Sequence, residues 1–190
     1  MPTATSTGQR ERILAAALDL IASHGVEGMT MRQLAAACDL NIATLYHYVG
    51  SKSDLLGAIV HERHYDEGLR RLRVPVDPAL PPRERFEQFF GALATQSLGE
   101  LQVWRLLIGE SLRDDAVALA EARRLSRLLE AAVDRWLAEL FPELPGDPAA
   151  AGSVVSGQLL AVFLEALLLG DDPDRLAARA AALALILFPT

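Results

Sequence analysis

The side chains best suited to chemistry in this 190-residue chain lie between Thr30 and Lys52, and their types favour recognition over reaction. Asn41 and Thr44 are short polar residues at the start of a predicted short helix. Unpaired backbone N–H groups and a capping side chain can meet a phosphate there. Ile42 and Ala43 are small and apolar, suited to a thymine methyl group. In Tyr46-His47-Tyr48 the side chains point about 100° apart along a helix, so they are not buried as a set. Tyr46 and His47 can then offer a hydroxyl and an imidazole to DNA. Lys52 falls in the first turn of the next helix, where a cation opposes the helix dipole, and a phosphate there would reverse that penalty.

Other candidate chemistries are weaker. His61-Glu62-Arg63-His64 spaces its histidines at i and i+3, whereas a zinc-protease helix needs i and i+4 with a third ligand; a solvated helix face fits better. Cys38 has no partner for an internal disulfide and reads as a small apolar packing residue, with redox sensing as the rival. The sequence contains no Gly-rich phosphate loop, no Cys/His metal spacing and no nucleophile elbow. No catalytic residue, metal ligand or cofactor is therefore expected, and an enzyme is the disfavoured class.

Helices must position these residues, because helical periodicity recurs throughout and no convincing strand appears. Ile13, Leu14, Ala17, Leu18 and Ile21 fall on one face of a first helix that ends at His24-Gly25. Thr30 and Gln33 form a capping-box pair opening a helix that ends near Cys38. After the link Asp39-Leu40, Asn41 caps a two-turn helix from Ile42 to Tyr48, closed by Gly50. Ser51 and Asp54 repeat the box and open a helix expected to run towards Arg73. Two helices joined by a tight turn over 31–48, the second short, make a helix-turn-helix, whose second helix lies in the major groove.

Val74–Pro82 holds four prolines in nine residues and is the clearest boundary, predicting domains at 8–73 and 74–190. Five further helices are expected at roughly 83–98, 100–112, 114–140, 148–169 and 173–187, about nine in all. The segment Ala149–Leu169 is apolar nearly all round. Gln158 and Glu165 argue against a membrane span, so a core on one side and a partner subunit on the other fit better. The last two helices pairing with their two-fold mates would make a four-helix homodimer interface.

Charge and composition agree with this division. The net charge is −7, yet residues 1–73 hold eight basic and eight acidic side chains, so an anionic partner should meet the N-terminal part. The first eight residues lack the charged and apolar regions of a signal peptide, so the cytoplasm is the expected location.

On these residues, 10–60 resemble the N-terminal domain of the TetR family of bacterial transcriptional regulators. Thr30 to Leu56 matches the family's recognition region without a gap. Its Thr-Leu-Tyr-x-x-aromatic-x-x-Lys pattern is met by Thr44, Leu45, Tyr46 and Lys52, with Val49 at the aromatic position. The resemblance implies phosphate contacts from Thr30, Thr44, Tyr46 and Lys52, groove contacts from Ile42, Ala43 and His47, and a core role for Leu45. It also implies an all-α fold, with a three-helix helix-turn-helix domain followed by a helical-bundle dimerisation and ligand domain. Asp39 replaces the family's usual turn glycine, Asn41 the usual hydroxyl cap, and Val49 a common phenylalanine, which predicts looser packing there. Neither Ile42 nor Ala43 is basic, which predicts weak non-specific binding and a shallow salt slope.

The expected function is a sequence-specific DNA-binding regulator, a repressor released from a palindromic operator in double-stranded DNA by a small hydrophobic effector. The reverse sense, activation, stays open. The alternative is a helical small-molecule- or lipid-binding protein whose DNA readout is lost. An effector pocket is expected among Phe86, Phe89, Phe90, Trp104, Leu107, Trp136 and Phe163, with Gln96, Glu110, Gln158 and Glu165 as polar anchors.

Overall fold

Side-chain caps set where the helices of the first part begin. The computed structural model describes residues 4–189; Met1–Thr3, within the segment tested for a signal peptide, and Thr190 lie outside it. The first helix, α1 (Ala4–Gly28), is interrupted at Gly25, whose φ of 73° is the left-handed backbone expected of a glycine cap. Thr30 opens α2 (Met31–Ala37) with a reciprocal box: Thr30 Oγ1 accepts from Gln33 N at 3.2 Å, and Gln33 Oε1 accepts from Thr30 N at 2.8 Å. Asn41 opens α3 (Ile42–Val49), its Oδ1 accepting from Thr44 N at 2.8 Å. Ser51 and Asp54 form the second box, at the start of α4 (Lys52–Glu62).

The predicted helix from Ser51 to Arg73 is broken in the structure. After α4 ends, His64 takes a φ of 47° and α5 (Tyr65–Arg71) restarts. A left-handed residue turns the chain out of a right-handed helix, and no glycine or proline announces it. The count among the described residues is therefore ten helices, not nine. The later ones follow expectation closely: α6 (Pro82–Leu98), α7 (Leu101–Ser111), α8 (Ala116–Leu140), α9 (Pro148–Leu169) and α10 (Pro173–Leu187). No strand occurs among the described residues.

The chain forms two compact units, divided elsewhere than at 73/74. One takes the residues up to Tyr65 together with Gln102–Arg124; the other takes Asp66–Leu101 and the residues from Leu125 onward. The first unit seats α2, α3 and α4 on the apolar face of α1, where Ile13, Leu14, Ala17, Leu18 and Ile21 are all buried as expected. Val117 of α8 lies 3.6 Å from where a Cβ on Gly57 of α4 would stand, so that glycine sits in ordinary contact range.

The second unit is organised around an aromatic cluster. Phe86 and Phe89 of α6 meet Phe141, and Phe89 meets Trp136, at ring-centroid distances of 5.6–6.3 Å, and Phe188 closes the group beyond α10. The α6–α10 pairing is its most extensive helix contact. The proline-rich segment is no free linker: Val74 is buried in this core, and Asp77 N donates to Gln88 Oε1 at 3.1 Å. Its prolines stop helix α5 from continuing, while its valines tie it down.

Candidate nucleic-acid interface

Helix α3 divides cleanly into a buried and an exposed side. Leu45 is fully buried and Val49 nearly so, while Ile42, Ala43, Tyr46 and His47 are exposed; Tyr46 keeps 49% of its surface. At about 100° per residue these four fill one continuous arc of roughly 140°. Thr44 and Tyr48 flank it, half-buried, with the Tyr48 ring edge-on to His47 at 5.9 Å. Eight residues span about 12 Å, close to the width of the major groove of B-form DNA.

Three caps frame that arc. Thr30 is exposed and held by Gln33, whose Oε1 also accepts the Thr30 hydroxyl at 2.8 Å. Asn41 is exposed with one carboxamide oxygen committed to Thr44 N. Lys52 begins α4, half-buried, beside the Ser51–Asp54 box. Hydrogen bonds from the Ser51 hydroxyl (2.6 Å) and amide (2.8 Å) hold the Asp54 carboxyl below the usual aspartate range. The α2–α3 turn rests on Asp39 at φ 55°, a left-handed conformation that favours glycine.

Arg32 is the residue that sequence reasoning passed over. It is exposed in the first turn of α2, two residues after the Thr30 cap, and the signal that could have found it is a cation on the first turn of a helix beside the exposed arc. Cys38 is buried, and that burial pushes its thiol pKa up despite the opposing charge of Arg12, so the thiol stays protonated and unreactive at neutral pH. Val49, for all its small size, is packed away from solvent.

The expected effector lining is divided between the two units. Phe86, Phe89, Phe90 and Trp136 belong to the second unit's core, in contact with one another or with Phe141, and Phe163 is buried in the same unit. Trp104, Leu107 and Glu110 belong to the first unit. Gln158 accepts from Arg179 Nη1 at 2.8 Å, and Glu165 is ion-paired to the same arginine, so these two anchors join α9 to α10. Gln96 is exposed near the end of α6. Aromatic type alone does not separate a core ring from a pocket ring, because both are apolar and helical in spacing.

Residues 13–59 match the sequence profile of the family described as bacterial regulatory proteins, tetR family. The class D tetracycline repressor protein of Escherichia coli is 40% identical over 63 residues, which are 32% of this chain and 29% of that protein. The HTH-type transcriptional repressor KstR of Rhodococcus jostii is 27% identical over 134 residues, 70% of this chain and 62% of its own length. The alignments thus span less than two thirds of either relative. A solved structure from Mesorhizobium loti, assigned to the TetR family of transcriptional regulators, superposes with a TM-score of 0.75. It is 23% identical and matches over 98% of this chain and 97% of its own, a likeness of fold.

Proposed function

We propose that this chain, whose residues 13–59 match the tetR family of bacterial regulatory proteins, is a member of that family that binds a palindromic operator in double-stranded DNA as a homodimer and represses transcription until a small-molecule effector releases it. The observation that carries the reading is the exposed arc of α3. Four consecutive-in-space side chains, two apolar and two polar, stand on a helix whose opposite side is locked into the core by Leu45 and Val49. Ile42 and Ala43 serve thymine methyl groups, and Tyr46 and His47 reach base edges or the adjoining phosphate. Thr30, Asn41, Thr44, Lys52 and Arg32 fix the register on the backbone. This is a regulator's equipment, and no chemical step is assigned to it.

Dimerisation is supported by the far side of α9 and α10. Val154, Leu160, Leu164 and Leu168 are exposed along α9, and Leu185 and Ile186 along α10; Leu168 and Ile186 keep 79% and 70% of their surface. By length and composition α9 alone would suffice to cross a membrane, and a third of its most apolar window is buried. A second copy of the same face covers these residues with matching chemistry, which a four-helix contact provides. The family setting and the absence of base-reading lysines together imply that two half-sites must be read at once.

The test is enrichment of binding sites from random duplexes, followed by titration of the enriched site. The wild type should select a palindrome; Tyr46→Ala should weaken it by about 1–3 kcal/mol per half-site and relax sequence preference. Lys52→Ala should weaken all sequences alike and flatten the salt slope by about two per dimer. A folded dimer that enriches nothing at low salt would end this reading in favour of a helical small-molecule binder.

A further inference from the structure

The first unit contains a cleft that the DNA-reading surface does not use. It lies between the second half of α1 and helix α7, with a volume of about 200 Å³. One wall is apolar, with Leu18, Ile21 and Val26; the other carries Arg105, Glu110 and Arg113. Glu110 is 8% exposed, a carboxylate nearly withdrawn from water, and its Oε1 accepts from Arg113 Nη1 at 3.0 Å. That bond engages one nitrogen of Arg113 and neutralises the acid. Arg105 pairs with no acidic residue among the described residues. The lining therefore carries one uncompensated positive charge above an apolar wall.

We propose that this cleft binds a small amphipathic carboxylate, its tail against Leu18 and Ile21 and its head group between Arg105 and Arg113. Guanidinium groups suit a planar carboxylate through paired N–H donors; Arg105 and Arg113 both line this cleft, and only Arg113 is engaged by the internal carboxylate Glu110. A cationic amine would have to approach the same two arginines, which costs affinity. The volume is below that of a drug-sized pocket and equals roughly seven waters, which fits an acid of about six carbons. The site also touches the helix that matters most for DNA reading, because α1 supplies the apolar face on which α2, α3 and α4 sit. An occupant at Leu18 and Ile21 thus biases the seat of the DNA reader, a consequence that rests on the regulator reading; the binding itself does not.

Saturation-transfer NMR on the full, DNA-free chain, with hexanoate and hexylamine as probes, tests the proposal. Hexanoate should bind saturably at millimolar concentration, and Arg105→Ala should weaken it by about tenfold or more. Gly109→Leu should abolish it, because Gly109 lines the cleft and a Cβ there meets nothing within 4 Å. Ala22→Leu, on the opposite wall, blocks the same space if the first filled variant does not fold. Hexylamine binding as tightly as hexanoate, hexanoate binding unchanged in the filled variant, or no hexanoate binding to the wild type would each overturn the proposal. A chain that binds no operator fails the regulator reading alone, since these titrations contain no DNA.

Discussion

The two units hold their shape by different means. In the first, short helices of seven to eleven residues are fixed at their starts by side-chain caps, at Thr30, Asn41 and Ser51, with two reciprocal boxes among them. Helices this short are marginal alone, so caps and a thin apolar seam decide whether they form at all. In the second unit, longer helices, two of them also capped at Asp147 and Asp172, close over a cluster of phenylalanine and tryptophan rings. Charge differs in the same sense. The first unit holds nine basic and ten acidic residues, the second nine and fifteen. A near-neutral unit can approach a polyanion, whereas an acidic one is repelled by it. The exposed side chains of the first are mixed and suited to reading an edge; those of α9 and α10 are aliphatic and suited to being covered.

The largest effect should come from the aromatic core. Phe89→Ala, at a fully buried ring contacting both Trp136 and Phe141, is expected to destabilise the protein by about 3–5 kcal/mol in denaturant titration. A loss under about 1 kcal/mol would mean that the rings are not the second unit's main support. Next comes the exposed aliphatic face of α9 and α10. If that face is the proposed dimer contact, Leu164→Glu places a charge on it in each copy, and sedimentation should show the wild type as a dimer and the variant as a monomer. An unaltered dimer would move the interface elsewhere.

The capping side of the contrast predicts smaller numbers. Asn41→Ala removes the bond to Thr44 N and should cost about 1 kcal/mol of stability, with a matching loss of operator affinity because α3 frays from its reading end. An equal loss from Gln96→Ala, an exposed position on α6, would show that the effect is not specific to the cap. Smallest is the pH response of the Ser51–Asp54 box. Asp54 ionises below its ordinary value in the folded chain, so its contribution is complete above about pH 4 and fades as pH falls through the lowered folded value. Asp54→Asn should remove that part of the acid response, read as a flatter melting temperature between about pH 4 and pH 2. A curve identical to that of the wild type would assign the acid sensitivity to other carboxylates.

Much of this was legible in the order of residues. The caps at Thr30, Asn41 and Ser51 and the ends of α9 and α10 all follow from rules acting within a few residues, whereas the turn at Asp39 was implied by the family resemblance. Such rules depend on backbone groups that a neighbouring side chain must satisfy, so sequence alone determines them. The exposed positions of α3 were expected from their residue types, and the inward place of Leu45 from the family resemblance; the burial of Val49 is seen only in the folded chain.

Tertiary structure decided what depends on distant partners. His64 breaks the helix after α4 although no glycine or proline marks the place, and the proline-rich segment is pinned by Val74 and Gln88 instead of dividing the chain. Residues 102–124 join the first unit, far in sequence from the helices they accompany, so no local pattern marks them. Whether a phenylalanine is core or pocket, and whether Glu165 meets a ligand or Arg179, turns on which surfaces meet after folding. Local hydrogen bonding is written in neighbouring residues, whereas burial is a property of the whole packed chain.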